Sequence, residues 1–243
     1  MIPDCLCRYL REHAPLVVAL SGGTDSAVLL AAAARAGVRT AAVTVETGLA
    51  APGEVQEAAR VAASLGVPHA AVRVEMLAVD AVRHTTAERC YVCKRVMMEA
   101  VLAWAEEHGY AHVVDGTHAG DDPADRPGLR ALRELGVESP FAACGIGREE
   151  IVAMARAFGV PVRPSSSCLA TRFPVGEEVT PEKLGLVGEA EAILRERIPG
   201  RVRVRVQGRS ARVEVPAGHE DEARALIKRV RAIGFDDVTI RGV

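Results

Sequence analysis

The chain has 243 residues and a formal net charge of −2, with 49% hydrophobic, 26% charged and 3% aromatic residues. This composition is typical of a soluble globular protein with one large or two small domains. It gives no general attraction to nucleic acid and offers few aromatic side chains for base stacking. No apolar run is long enough to span a membrane and the first residues lack signal-peptide character, so we expect a cytoplasmic protein.

Short apolar runs alternate with helical patterns through the first part of the chain. The sequence predicts a helix after residue 26, and this alternation indicates an α/β fold with a parallel sheet and helices on both faces. Ligands bind such sheets at the carboxyl ends of the strands. The other predicted elements are strands at residues 16–20, 40–46, 69–74 and 111–115, helices at 54–65, 94–108 and 149–158, and a short extended piece at 160–162.

The composition changes near residues 164–181, where serine and proline interrupt the regular pattern. The order of the elements beyond this point indicates a small α+β module. We therefore expect two domains, residues 1–164 and residues 165–243. The predicted elements of the second domain are helices at 181–198 and 220–233 and strands at 201–206, 211–215 and 237–240.

The first strand is followed by a loop with two adjacent glycines, Ser21-Gly22-Gly23-Thr24-Asp25-Ser26, and then by an alanine-rich helix. Glycine lets the backbone approach a ligand closely, and a helix N-terminus offers free N–H groups and a positive dipole to phosphate. Asp25 adds a carboxylate of the kind that binds Mg²⁺. Capping of the helix by Ser21 or Thr24 would explain the hydroxyls, but not the glycine pair beside Asp25.

This loop resembles the PP-loop, SGGxDS, of enzymes that cleave ATP between the α- and β-phosphates. No Gly-Lys-Ser/Thr follows the glycines, so the Walker A pattern of ordinary P-loop enzymes is absent. The resemblance implies that the loop holds the departing pyrophosphate while a substrate oxygen takes AMP. Gly116 and Thr117 follow the predicted strand at 111–115, and we expect them to line the same nucleotide pocket.

Three of the six cysteines are candidates for metal binding or catalysis. Cys90 and Cys93 form a C-x-x-C pair at the opening of a helix, and Cys168 lies in a polar loop. The pair alone fits zinc, an iron–sulfur cluster, a redox pair or two ordinary partly buried thiols. A closed zinc site would need His84 or Cys144 as a fourth ligand, whereas three thiolates suit a [4Fe–4S] cluster with one open iron.

The other cysteines receive no catalytic role. Cys5 and Cys7 lie in a short helical segment before the first strand, and Cys144 lies among small residues, where we expect it to fill space. In a chain expected to be cytoplasmic, cysteines are ligands or catalytic thiols more often than disulfide partners. Cys5 and Cys7 fit either one buried and one exposed residue or an adventitious metal pair.

Several longer blocks resemble the LarE family of ATP-using sulfurtransferases. The block from Arg126 to Pro140 is the most specific of them. The others are Cys90-Tyr91-Val92-Cys93-Lys94, residues 115–122, residues 164–176, Arg203-Val204-Arg205 and residues 211–215. Two departures from the family pattern occur. His118-Ala119-Gly120 replaces the more common Asn-Ala-Asp, and the C-terminal segment is shorter than in the family.

The resemblance implies a substrate and a reaction. LarE proteins convert the carboxylates of pyridinium-3,5-biscarboxylic acid mononucleotide to thiocarboxylates during synthesis of the nickel-pincer nucleotide cofactor. One family type sacrifices a single cysteine at the position of Cys168, leaving dehydroalanine. The other type binds a [4Fe–4S] cluster through three cysteines, which Cys90, Cys93 and Cys168 match. The expected partners are the substrate and sulfide or another sulfur donor, and the family suggests a trimer or hexamer.

Further roles follow from the resemblance. Lys94 is expected to offset charge that develops on the phosphates, with ATP and Mg²⁺ as cofactors. Substrate binding is assigned to an arginine set and two acidic positions. A polar solvent face would explain the alternating arginines of residues 201–206 equally well. The residues assigned to substrate binding are Arg172, Arg203, Arg205, Glu191 and Glu214.

Two other functions remain open. A PP-loop [4Fe–4S] enzyme that thiolates tRNA would use the same adenylation chemistry, and Arg195–Arg212 offers a local basic stretch. A non-catalytic nucleotide-binding or metal-stabilised module would also contain the glycine loop and the cysteines. Salt-sensitive tRNA binding would favour the first, and absence of pyrophosphate release would favour the second.

Overall fold

Helices and strands alternate along the computed structural model, which describes residues 1–51, 53–122, 124, 126–163 and 167–243. The helices are α1 (Asp4–Glu12), α2 (Thr24–Ala36), α3 (Glu54–Ser64), α4 (Asp80–Arg83), α5 (Arg89–Glu107), α6 (Gly128–Leu135), α7 (Pro140–Ala143), α8 (Arg148–Phe158), α9 (Pro181–Arg195) and α10 (Glu220–Ala232). The strands are β1 (Leu16–Ala19), β2 (Thr40–Glu46), β3 (His69–Arg73), β4 (His112–Val114), β5 (Arg203–Gln207), β6 (Ser210–Val215) and β7 (Asp237–Gly242).

The chain divides into two units that each have their own sheet. The first unit consists of Met1–Thr47, Gly53–Val74 and Cys90–Arg163. Two stretches of the N-terminal half belong with the C-terminal part, so the second unit consists of Gly48–Pro52, Glu75–Arg89 and Pro164–Val243. The predicted domain boundary between residues 164 and 165 lies outside the described residues. Within the described residues, no helix has the length and apolarity needed to cross a bilayer.

The first unit is an α/β structure around a four-stranded parallel sheet, as the sequence predicts. Its strand order is β3-β2-β1-β4. Alternate residues of β1 enter two different clusters: Leu16 and Val18 pack with α1, α2, α3, α7 and α8, whereas Val17 packs with α5 and α6. Helices therefore bury both faces of the sheet, which explains why β1 and β2 are almost continuously apolar.

Helix α2 is the centre of this unit because its side chains are small. Ala31, Ala32 and Ala33 are fully buried, so the neighbouring helices approach its backbone closely. Helix α2 begins after Gly23 and ends at Gly37, which adopts the left-handed conformation typical of a helix C-terminus. The first turn of α2 is thereby fixed directly after the carboxyl end of β1.

The second unit contains the predicted αββαβ module. Strands β5 and β6 are antiparallel and β6 and β7 are parallel. In β5, Val204 and Val206 are buried while Arg203 and Arg205 lie half-buried on the opposite face, which confirms the predicted alternation. Arg201 precedes the strand. The arginines of this face therefore lie at one side of the small sheet.

Some predictions were wrong. Helix α5 begins at Arg89 rather than at residue 94, so its first turn contains Cys90 and Cys93. Cys5 and Cys144 form a disulfide between α1 and the end of α7, which the sequence did not predict. Their sequence separation of 139 leaves no local signal of this pairing.

A polar cluster around Glu138 links α1 to the beginning of β4. The Tyr9 hydroxyl donates to Glu138 Oε2 at 2.7 Å, and His112 Nδ1 lies 2.8 Å from Glu138 Oε1. His13 Nε2 lies 3.2 Å from Glu138 Oε2. Burial alone would raise the pKa of Glu138, but the hydrogen bonds from Tyr9 and His112 and the charges of His13 and His112 lower it below 4.5. The ionised carboxylate is therefore the form that the fold stabilises.

We expect Glu138→Gln to lower the free energy of unfolding by about 1 kcal/mol at pH 7, because the charge-assisted hydrogen bonds weaken. A depressed folded-state pKa contributes stability above the unfolded pKa, and that stability disappears as pH falls through the folded value. The difference between wild type and variant should therefore shrink as the pH falls below the ordinary glutamate pKa toward the lower folded-state value. Urea titrations at pH 7 and pH 3.5 measure it, with the exposed Glu12→Gln as control. An undiminished difference at low pH would contradict the assignment.

Candidate functional site

The loop after β1 is preformed by its own hydroxyl groups. Ser26 Oγ accepts from the Ser21 N–H at 3.2 Å and lies 3.1 Å from Ser21 Oγ. Ser21 Oγ in turn accepts from the Gly23 N–H at 3.3 Å. Gly23 is the N-cap of α2 and no side chain caps this helix, so the hydroxyls do not serve as the helix caps considered above. They shape the loop instead.

Glycine is required at position 22 of this loop. Gly22 has a φ of +77°, and a Cβ placed there would lie 3.2 Å from the carbonyl oxygen of Glu54. A side chain would thus be strained by its conformation and crowded by backbone. The glycine signal in the sequence therefore reflects a real backbone constraint.

A second loop meets the first at the carboxyl ends of β1 and β4. A Cβ on Gly116 would lie 2.7 Å from the Ser26 nitrogen and 3.0 Å from the carbonyl carbon of Asp25. No side chain fits in that space. The sequence predicts that the two loops lie together, and the backbone contact at Gly116 agrees with this prediction. Gly116 lies at the carboxyl end of the parallel sheet, where ligands bind in this class of fold.

Asp115 organises this second loop. It is buried and accepts hydrogen bonds from the Thr117 N–H at 3.1 Å, the Thr117 hydroxyl at 2.8 Å and the Ser139 hydroxyl at 2.8 Å. Lys94 Nζ lies 3.8 Å from Asp115 Oδ2. The stem of Lys94 packs where a Cβ on Gly128 would lie 3.2 Å from it. Thr117 and Lys94 are thus both oriented by one carboxylate that the sequence analysis did not select.

Two arginines flank the glycine loop. Arg148 Nη1 donates to Asp25 Oδ1, and Arg163 Nη2 donates to Glu57 Oε1. The Arg163 N–H also donates to Thr24 Oγ1 at 2.9 Å. Neither arginine is predicted from the sequence, because their partners lie more than 100 positions away in the chain. Nothing in the local pattern around either residue distinguishes it from a surface arginine.

Asp25 fits the role of a Mg²⁺ ligand in its chemistry. Its carboxylate supplies the hard oxygen donors that Mg²⁺ prefers, and its side chain is 30% exposed. Its present partner is the guanidinium of Arg148, so a divalent cation competes with Arg148 for the same carboxylate. A cation bound at Asp25 would therefore have to displace the guanidinium of Arg148.

The turn that carries Cys168 belongs to the second unit and is held by a buried arginine. Cys168 is half-buried and directly precedes a 3₁₀ turn, Leu169–Arg172. Arg172 Nη1 donates to the Cys168 carbonyl at 3.2 Å and to the Ser167 carbonyl at 3.1 Å. It also donates to the hydroxyls of Ser167 and Thr171 at 2.7 and 2.8 Å. One guanidinium thus fixes the backbone on both sides of the Cys168 peptide.

Glu191 holds Arg172 in place. Arg172 is 3% exposed and Glu191 is 0% exposed, and Arg172 donates to both carboxylate oxygens, at 2.7 and 3.1 Å. Glu191 also accepts from the Val204 N–H at 3.0 Å and from Arg195 at 2.6 Å. These two residues were expected to contact substrate. The structure instead places them inside the second unit, where each is engaged with protein groups.

Arg203 differs from Arg172 and Arg205, which both donate to carboxylates. Its Nη2 donates to Ser167 Oγ at 2.9 Å, and no carboxylate of the described residues forms an ion pair with it. Burial, together with the guanidinium groups of Arg201, Arg172 and Arg205, lowers the pKa of Arg203 below its ordinary value. An anion at this position would relieve that repulsion.

Arg205 and Glu214 are paired with each other. Arg205 Nε donates to Glu214 Oε1 at 2.7 Å, and Arg205 Nη1 lies 3.4 Å from the Thr171 carbonyl. Arg212 Nε lies 3.5 Å from the same carboxylate oxygen. Glu214 thus neutralises part of the charge of Arg205 and Arg212. Among the described residues, Arg203 has no such carboxylate partner.

The other two expected ligand cysteines lie on the first turn of α5 in the first unit. Cys90 is exposed and Cys93 is half-buried, and their i, i+3 spacing places them on one side of the helix. Thiolates are the ligands of iron–sulfur clusters, so the donor chemistry fits. Across the part of the chain that the structure describes, no group of three or more Cys, His, Asp or Glu side chains is gathered as a metal site.

Comparison with known proteins identifies relatives over most of the chain. An asparagine synthase family model matches residues 2–101. An uncharacterised protein of Synechocystis sp. is 36% identical over 215 residues, which covers 87% of this chain and 80% of that protein. An uncharacterised protein of Methanocaldococcus jannaschii is 31% identical over 232 residues, covering 94% and 90%. The pyridinium-3,5-bisthiocarboxylic acid mononucleotide synthase of Lactiplantibacillus plantarum is 28% identical over 243 residues, covering 97% and 88%.

The close backbone contact at Gly116 can be tested by adding a methyl group at this position. We expect Gly116→Ala to separate the two loops, destabilise the chain by about 2 kcal/mol and weaken ATP binding by at least about tenfold, because the new Cβ meets backbone. Calorimetric titration with an ATP analogue measures the affinity. Gly185→Ala is the control, since its Cβ in α9 meets nothing within 4 Å and the helix favours alanine. Unchanged affinity in Gly116→Ala would overturn the loop contact.

The buried pair of the second unit makes another prediction. We expect Glu191→Gln to lower the free energy of unfolding by about 3 kcal/mol, because Arg172 stays buried without a compensating charge. Thermal and urea unfolding measure the effect. Asp236→Asn removes one partner of the exposed Arg209–Asp236 pair and should leave stability unchanged. Equal effects of the two substitutions would contradict the role of the buried pair.

Proposed function

Because this chain belongs to the LarE family of PP-loop enzymes, we propose that it is an ATP-dependent sulfurtransferase that acts on pyridinium-3,5-biscarboxylic acid mononucleotide. It converts the carboxylates of this substrate to thiocarboxylates. ATP binding is supported by the preformed glycine loop and by the close backbone approach of Gly116 to the first turn of α2, at the carboxyl ends of β1 and β4. The relative from L. plantarum, which covers almost the whole chain, supports the choice of acceptor.

The reaction begins with activation of a carboxylate, because its oxygen is a poor leaving group. A carboxylate oxygen of the substrate attacks the α-phosphorus of ATP, and the bond from that phosphorus to the oxygen bridging to the β-phosphate breaks. Pyrophosphate leaves and an acyl adenylate remains. The loop of residues 21–26 and the N-terminus of α2 offer N–H groups and a positive dipole to the departing pyrophosphate.

Two positive charges, on Lys94 and on Mg²⁺, would stabilise the negative charge of the phosphates in this step. Lys94, oriented by Asp115, offsets charge that develops on the phosphates. Mg²⁺, held by Asp25, would supply charge neutralisation of the polyphosphate. Gly116 and Thr117 line the nucleotide pocket next to the loop. These residues all belong to the first unit, which therefore carries the activation step.

In the second step a sulfur nucleophile attacks the acyl carbon, and the bond to the AMP oxygen breaks. Cys168 is the residue assigned to sulfur delivery. A [4Fe–4S] cluster held by Cys90, Cys93 and Cys168 would supply a transferable sulfide, which allows repeated turnover. Without a cluster, the Cys168 sulfur itself would be transferred, and loss of its α-proton would leave dehydroalanine. The presence of all three cysteines favours the cluster.

Arg203 is the residue that we assign to the acidic groups of the substrate. It shares Ser167 with Arg172, so an anion at Arg203 lies next to the turn that carries Cys168. Guanidinium geometry matches phosphate and carboxylate oxygens. Arg172 and Glu191 act as positioning residues in this proposal, because their hydrogen bonds go to the Cys168 turn and to β5.

The direct test uses protein purified anaerobically and loaded with iron and sulfide. We expect ATP to be converted to AMP and pyrophosphate only when the pyridinium dicarboxylate nucleotide is present. Cys168→Ala should still release pyrophosphate with this substrate but form no thiocarboxylate, since activation precedes sulfur transfer. Cys7→Ala, a cysteine of α1, is the matched control and should form thiocarboxylate normally.

Three outcomes would count against the proposal. Pyrophosphate release that depends on tRNA instead would make the chain a tRNA thiolase. Absence of pyrophosphate release from the loaded wild type would contradict the LarE-type reaction. An active, iron-free protein that becomes lighter by one sulfur at Cys168 would replace the cluster with the sacrificial cysteine.

A further inference from the structure

Arg148 occupies an electrostatically unusual position beside the glycine loop. It is the first residue of α8, and its guanidinium donates to Asp25 in the first turn of α2. A helix N-terminus carries positive potential, so a cation there is unfavourable unless an anion is close. In the chain without nucleotide, Asp25 supplies that anion. A polyphosphate at the same loop would supply a stronger one.

The backbone that carries Arg148 is fixed. The Ala119 N–H donates to the Ile146 carbonyl at 3.0 Å, which ties the turn before α8 to the loop containing Gly116. The Gly147 N–H donates to Glu150 Oε2 at 2.9 Å. Helix α8 packs on α2 through side chains that are completely or almost completely buried, including Ile151 and Ala155.

The side chains of the pair are less constrained than this backbone. Arg148 is 37% exposed and Asp25 is 30% exposed, so solvent and a ligand can reach both groups. Ion pairs that solvent reaches contribute little to stability, so replacing the carboxylate by another anion costs little. The guanidinium can therefore turn from a carboxylate to a phosphate without moving α8.

We propose that Arg148 binds the polyphosphate of ATP and releases Asp25 for the divalent cation when the nucleotide arrives. This inference rests on the proposed nucleotide function of the first unit. Arg148 and the metal ion compete for one carboxylate when no nucleotide is present. With nucleotide bound, the guanidinium contacts phosphate oxygens, in the fork geometry that suits them, and the carboxylate faces the cation.

The exchange couples nucleotide and metal binding. A ligand that favours one of two states shifts the equilibrium by its difference in affinity, and the effect is reciprocal. ATP should therefore strengthen metal binding beyond what its own phosphates supply. Removing the guanidinium should weaken nucleotide binding but strengthen metal binding to the nucleotide-free chain. A purely structural role of Arg148 would weaken both.

The test compares wild type, Arg148→Gln and Arg148→Lys in two binding measurements. Titration with α,β-methylene-ATP in EDTA measures nucleotide affinity without metal, and Mn²⁺ electron paramagnetic resonance measures metal affinity without nucleotide. We expect Arg148→Gln to weaken the analogue by about tenfold or more and to bind Mn²⁺ several-fold more tightly. Arg148→Lys should recover part of the nucleotide affinity because it keeps the charge. Adding Asp25→Asn to Arg148→Gln should remove the gain in Mn²⁺ affinity.

Arg156→Gln, an exposed arginine on the same helix, is the matched control and should change neither affinity. Equal nucleotide affinity in wild type and Arg148→Gln would overturn the inference while leaving the proposed function intact. Weaker Mn²⁺ binding in a folded Arg148→Gln would also overturn it. A wild type that binds no analogue would instead remove the nucleotide function on which the inference rests.

Discussion

The arrangement of the nucleotide-binding elements depends on one close approach of backbone to backbone. Gly116, directly beyond β4, lies against the Ser26 nitrogen so closely that even a methyl group has no room. The alanine-rich α2 makes this approach sterically feasible, because its small side chains let the surrounding helices close around it. Asp115, which precedes Gly116, lies 3.8 Å from Lys94 Nζ, so this contact brings the glycine loop and the Asp115–Lys94 pair to the same end of the sheet.

The second unit is organised by a different interaction, the buried ion pair of Arg172 and Glu191. Its hydrogen bonds join the Cys168 turn to β5 and α9, so the residue that is assigned to sulfur transfer lies on a turn anchored by this pair. Buried ion pairs often contribute little net stability compared with apolar packing. Here the Arg172–Glu191 pair orients the Cys168 turn. Arg203, beside the same turn, keeps the positive charge that an acidic substrate would neutralise.

The sequence could predict the features that depend on local pattern. The strand–loop–helix at residues 16–36 is visible in the order of apolar, glycine and alanine residues, and parallel sheet geometry then brings Gly116 to the same edge. It could not predict the pairing of Arg148 with Asp25 or of Cys5 with Cys144, because each joins distant positions. The burial of Arg172 was equally hidden, since Glu191 reaches it only through the fold.

We propose that this ATP-dependent PP-loop enzyme activates a carboxylate by adenylation. The most direct measurement uses the pyridinium dicarboxylate nucleotide with ¹⁸O in its carboxylates, followed by mass spectrometry of the released nucleotide. Attack of a carboxylate oxygen on the α-phosphorus transfers that oxygen to AMP when sulfur displaces it. We expect AMP carrying one ¹⁸O for each thiocarboxylate formed. Unlabelled AMP, or ADP as the nucleotide product, would contradict it.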